Sequence, residues 1–180
     1  MTSLAPSKRA LIAAPGEKGI DPRGPRFGAG ITSVLLLATI AFGLLRGSSL
    51  PSSIAERVTR PEFVILVVIA ASFAWGSFAG VARHPYGRIF ARLVRPRLAA
   101  PTHLESPKPP TFAQTIGLVI SVIGLLLQVL GVPFGLVSLA AVAFVAAFLN
   151  SVFDYCFGCQ VYVLLVRLGT PGTRSATNGR

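Results

Sequence analysis

Polar residues in this chain fall in blocks, and between the blocks lie four stretches that contain almost none. Residues 28–45 and 63–82 carry no charge, 112–131 has only Gln114 and Gln128 as large polar groups, and 133–153 has only Asn150. A helix needs roughly 20 apolar residues to cross a hydrocarbon core of about 30 Å, and each stretch comes close to that. None shows the regular alternation of a barrel strand. The pattern predicts an all-α integral membrane four-helix bundle over residues 28–168, with flexible tails at 1–27 and 169–180. Gly131-Val132-Pro133 leaves room only for a tight hairpin between the last two spans. Gly76 and Gly80 in the second span, and Gly117 and Gly124 in the third, suit close helix packing where apolar burial supplies no drive.

The two remaining connections differ in character. Residues 47–61 form a Ser- and Pro-containing loop, whereas 83–111 is long, basic and rich in proline. Within it Ile89, Phe90, Leu93, Val94 and Leu98 share one helical face, flanked by Arg88, Arg92 and Arg95. That stripe predicts a short amphipathic connector helix on the inner leaflet, broken at Pro96. Pro101, Pro107, Pro109 and Pro110 then hold an extended run. The segment reads either as a stiff connector or as a docking platform for a cytoplasmic partner.

Composition agrees with a membrane class: 52% of residues are hydrophobic and 13% charged, about half the charged share of a soluble domain. The net charge of +11 invites a nucleic-acid reading, but its distribution argues against one. Fourteen Lys and Arg flank one end of the spans (five in the first tail, six between 83 and 108, three after 166). Only Arg46, Arg57 and Arg60 flank the other. The positive-inside rule then places both termini in the cytoplasm of a multi-pass cell-membrane protein, with anionic lipid as a partner and no nucleic acid. The apolar run at 10–14 is shorter than a signal-peptide core, so the first span is expected to act as its own insertion signal.

Candidate chemistry gathers at the end of the last apolar stretch. Cys156 and Cys159 are the only cysteines and are spaced C-x-x-C, close enough for a disulfide, a soft metal or sulfur transfer. Residues 155–168 extend the last span as one long helix or restart as a second one near Phe157-Gly158. A restart puts Cys156 at a helix N-terminus, where the dipole favours thiolate and lowers the pKa below the free value of about 8.5. Asp154 lies two residues before Cys156 and is a candidate general base; otherwise it marks the membrane boundary. Asn150 shares its helix face at i, i+4. His84 and His103 lie on the same side and would complete a Cys2His2 set, but their spacing matches no zinc pattern. No P-loop and no H-E-x-x-H occurs, and no cofactor is implied.

Several patches, taken together, resemble a bacterial, chiefly actinobacterial, membrane family known as domain-of-unknown-function family 4395. They are Ile20-Asp21-Pro22-Arg23-Gly24-Pro25-Arg26-Phe27, His84-Pro85-Tyr86-Gly87 through Arg95-Pro96-Arg97, and Leu104-Glu105-Ser106-Pro107. Pro109-Pro110-Thr111-Phe112-Ala113-Gln114 and Cys156-Phe157-Gly158-Cys159-Gln160-Val161-Tyr162 follow. The resemblance places a C-x-G-C signature on Cys156, Gly158 and Cys159, with Asp154 as a departure from the small or apolar residue expected there. It implies an association with thioredoxin-like and sulfurtransferase proteins. The leading expectation is a thiol-disulfide or sulfur-relay protein in which Cys156 attacks and Cys159 resolves, opposite a cytoplasmic reductant. The alternatives are a scaffold that anchors a cytoplasmic partner and a soft-metal carrier. Against a carrier, the spans offer no series of buried charged or Met ligands, Met1 being the only methionine.

Overall fold

A computed structural model describes residues 10–47 and 51–169. Four long helices dominate it: α1 (Arg23–Leu45), α3 (Pro61–Ala79), α5 (Lys108–Leu130) and α6 (Gly135–Phe153). Shorter helices complete the chain: α2 (Ile54–Val58), α4 (Pro85–Ile89) and α7 (Phe157–Arg167). At 1.5 Å per residue the long helices measure about 28 to 35 Å, enough to cross a bilayer core. All four are apolar enough to do so. Their outer faces carry side chains such as Leu45, Phe78 and Leu130 with most of their surface exposed, an arrangement compatible with a lipid surround.

Each helix begins and ends where the backbone requires it. Pro61 opens α3, and Pro109 and Pro110 sit in the first turn of α5, where the missing N–H costs nothing. Gly80 (φ 79°) stops α3 and Gly131 (φ 79°) stops α5, both conformations that a side chain disfavours. Compared with the apolar stretches, α1 and α5 start earlier, at Arg23 and Lys108, because a helix can carry basic residues in its first turns outside the hydrocarbon.

The long helices alternate in direction and pack in the cyclic order α1, α3, α5, α6, an up-and-down bundle. Leu36, Leu66, Ile69, Leu136, Ala140 and Ala143 form its core. Thr32, Thr39 and Ser121 are also buried there, their hydroxyls donating to carbonyls one turn back at 2.8 to 3.0 Å. That bond removes the cost of leaving a hydroxyl unpaired in an apolar interior.

Two sequence expectations change. Most of the first tail is part of the fold: Ile20 N–H donates to Glu105 O (2.8 Å), Glu105 N–H to Ile20 O (2.9 Å) and Ser106 N–H to Leu11 O (2.8 Å). Met1 to Arg9, and the second tail from Thr170 on, lie outside the described residues. The connector at 83–98 is not one amphipathic helix. It is a 3-10 turn, α4, a π turn (Phe90–Val94) and a second 3-10 turn (Arg95–Arg97). The extra residue in the π turn splits the apolar stripe: Phe90 is buried against Phe27 (ring centroids 5.9 Å) while Ile89 and Leu93 face outward.

At the far end, Arg57 on α2 ties the loop to the bundle. It donates to Pro51 O (2.6 Å), Ser52 O (3.3 Å) and Val129 O (2.8 Å), the last a free carbonyl in the final turn of α5. Arg57→Ala is expected to cost about 1–3 kcal/mol of stability, read as an earlier midpoint in detergent unfolding, with Arg57→Lys restoring only part of it.

Candidate functional site

The last span stops three residues before the cysteine pair. Asp154 ends α6 in the left-handed conformation (φ 58°), and α7 restarts with Cys156 as its N-cap. Of the two courses open to residues 155–168, the chain takes the break, and takes it before Cys156. Asp is among the few residues that adopt this backbone readily, and its carboxylate pairs with Arg26 on α1 at 3.6 Å.

Gly158 serves packing instead of the break. A Cβ at that position would lie 2.6 Å from Ala113 Cβ and 2.8 Å from Ala113 Cα, so only glycine lets the first turn of α7 rest on α5. This contact turns α7 back across the end of the bundle.

Cys156 and Cys159 are joined by a disulfide, their Cα atoms 5.2 Å apart. Cys156 Sγ also accepts the Cys159 N–H at 3.2 Å, capping α7. The two sulfurs sit in different surroundings. Cys159 is 4% exposed and packs with Leu11 and Val163. Cys156 is partly buried and lines a cavity of about 810 Å³.

The cavity reaches from the span interior, between Phe73, Ile120 and Ala143, to a rim that includes Lys18, Arg83 and Arg95. Asn150 and Gln114 line it too. Gly76 makes the room that Gln114 occupies: a Cβ there would lie 2.7 Å from its Cγ.

The segment before α1 straps over this end. Leu11 covers the buried sulfur, and Glu17 holds Ser106 Oγ (2.9 Å) and approaches Lys108 (3.7 Å). The Ala14 N–H on its other oxygen (3.1 Å) leads these contacts in lowering the Glu17 carboxyl pKa below its usual value. Asp21 is lowered as well, chiefly by the side-chain hydrogen bond from Arg23 (2.7 Å). Sequence reasoning missed the strap. Its signal was the apolar run at 10–14, which holds Leu11 and Ile12.

His84 is built into the wall. Its Nδ1 accepts the Tyr86 N–H (3.2 Å), which leaves the proton on Nε2 to donate to Ser72 O (3.0 Å). Burial lowers its pKa against the weaker opposing effect of the Ser72 hydrogen bond. His103 instead pairs with Glu105 at 3.7 Å. Among the described residues no three His, Cys, Asp or Glu side chains gather as a metal set, so the Cys2His2 arrangement is not assembled.

Over residues 20–167 the chain matches a family described as a domain of unknown function, DUF4395. It belongs to that family. No curated protein and no solved structure matches it. The DUF4395 match ends at the last residue of α7 and begins inside the strap, so it takes in the disulfide, the cavity and the bundle as one unit.

Two outcomes follow from this geometry. Gly158→Ala is expected to push α7 off α5 and cost about 1–3 kcal/mol, seen as a lowered unfolding midpoint and faster labelling of Cys159 after reduction; Ala113→Gly in the same chain should recover part of the loss. His84 binds its proton less readily when folded, so the unfolded chain holds more protons between the lowered value and the free value of about 6.5. Stability should therefore be level above about pH 6.5 and fall as the pH drops below it. Glu17 and Asp21, with lowered values, add their own losses only in more acidic solution. His84→Gln should flatten the first phase of a melting-temperature profile against pH.

Proposed function

We propose that this DUF4395 protein is a cell-membrane thiol-disulfide exchange protein that works through Cys156 and Cys159 at the cytoplasmic end of its bundle. The carrying observation is the asymmetry of the pair: one sulfur opens on a cavity, and the other is sealed beneath Leu11. The fourteen-to-three division of basic residues supports the cytoplasmic assignment for this end and for both termini. Disulfides facing the cytosol are characteristically transient and catalytic. The loop closed here is also short, three residues apart in sequence, so the bond adds only about 2 kcal/mol by the chain-entropy relation. That favours a working disulfide over a structural staple.

In one direction the Cys156 thiolate attacks a partner disulfide, one partner sulfur leaves as thiolate, and Cys159 then displaces the second to close the Cys156–Cys159 bond. In the other, a partner thiolate attacks Cys156 and Cys159 is the leaving group. The Cys159 N–H and the α7 dipole stabilise the Cys156 thiolate. Asp154 is assigned the proton-acceptor role, with Arg26 holding it in place. A thioredoxin-like protein is the natural partner. A sulfurtransferase would use the same geometry to leave a persulfide on Cys156.

The test is accessibility and trapping. In inverted vesicles of reduced protein, a membrane-impermeant maleimide is expected to label Cys156 well before Cys159, and intact cells should leave both unlabelled. Cys159→Ser should accumulate a mixed disulfide or persulfide on Cys156 alone, detected by non-reducing electrophoresis and mass spectrometry. Asp154→Asn should slow exchange with thioredoxin about ten-fold or more. Equal inertness of both thiols would defeat the reading.

A further inference from the structure

Asn150 and Gln114 carry the next step. Both line the cavity, one on the last turns of α6 and one in the second turn of α5. Neither side-chain amide makes a hydrogen bond to any described residue, and both side chains are partly buried. Each amide therefore has donor and acceptor capacity open to whatever fills the cavity. Phe73, Ile120 and Ala143 give the cavity apolar lining as well. Cys156 lines the same cavity. The volume of about 810 Å³ falls within the range of small-molecule sites. A fitting occupant is largely apolar, offers polar atoms to two amides and lies against the Cys156 sulfur.

Resting on the thiol reading above, we propose that the cavity binds a membrane quinone, the electron partner of the Cys156–Cys159 pair. A quinone ring presents two carbonyl acceptors to the amide N–H groups, and its prenyl tail fits the apolar walls. After reduction its hydroxyls donate to the amide oxygens, so amides serve both redox states where a one-way donor would serve only one. Each turnover moves two electrons and two protons from the dithiol to the quinone. One S–S bond forms, both quinone carbonyls become hydroxyls, and a partner dithiol regenerates Cys156 and Cys159 while leaving as its own disulfide. A rim of Lys18, Arg83 and Arg95 keeps the aqueous mouth polar and leaves the deeper cavity to the ring.

The full chain, reduced and held in lipid nanodiscs, is mixed with decylubiquinone, whose substituted ring resists direct thiol addition. The expected result is loss of both thiols with an equal amount of quinol, at a rate that saturates with quinone. Asn150→Leu and Gln114→Leu should each raise the half-saturating quinone concentration about ten-fold, the loss of one hydrogen bond. Leu126→Phe, on the lipid-facing side of α5, should not. Photolysis of an azido-ubiquinone with the unmutated protein should place adducts on peptides from 110–120 or 142–150, which keeps the proposal open to failure even if a leucine variant does not assemble. If decylubiquinone leaves the pair reduced while thioredoxin still exchanges with it, the quinone proposal falls and the thiol reading stands. Inertness to both ends both. Oxidation with unchanged half-saturation in the leucine variants, or adducts only on lipid-facing residues, overturns the assignment to this cavity.

Discussion

The contact of Gly158 with Ala113 is the constraint on which the working end of this molecule depends. Helices in lipid gain nothing from hiding apolar surface, because the tails outside are as apolar as the side chains within. What holds them is close backbone approach and satisfied polar groups. At Gly158 the approach is close enough to exclude a methyl group, so the first turn of α7 is held against α5 and the chain folds back at the end of the bundle. Ala113 also packs against the cluster of Leu11, Cys159 and Val163, so the same meeting of surfaces helps seat Leu11.

Backbone arithmetic explains why the break falls where it does. A helix that ends must find partners for its last carbonyls and for the first amides of whatever comes next. After Phe153 the chain uses Asp154 in a left-handed conformation to leave one helix, with the Tyr155 N–H returning to Leu149 O at 3.2 Å. It uses the Cys156 sulfur to begin the next. One residue thus serves as a cap in the fold and as the cavity-lining sulfur of the pair. The same economy appears in Gly76, whose missing side chain makes the space that Gln114 fills beside the cavity.

The strap adds a further layer. It is tied by main-chain bonds to Glu105 and Ser106 and by Glu17 to Ser106 and Lys108. Through Leu11 it makes the two sulfurs unequal. Without that cover the pair would be two thiols in one turn of helix. With it, Cys156 lines the cavity and Cys159 is buried.

The sequence by itself determined the four spans, their antiparallel order, the tight hairpin at Gly131 and the gathering of basic residues at one end. These are one-dimensional properties: runs of apolar residues, glycine and proline at turns, and charge counted along the chain. It also singled out Cys156, Cys159 and Asp154, because a residue type rare in such a chain is visible without coordinates. Tertiary structure decided the rest. Where α7 lies after the break depends on what Gly158 meets, and Ala113 lies 45 positions earlier in the chain. The split connector stripe depends on Phe90 finding Phe27 and Gly24 on α1. Leu11 over Cys159, the burial of His84 against Ser72 and the cavity between the two amides are likewise contacts between distant segments. Local pattern records which surfaces are apolar. It does not record which of them meet, and the surroundings of this protein's cysteine pair are made of such meetings.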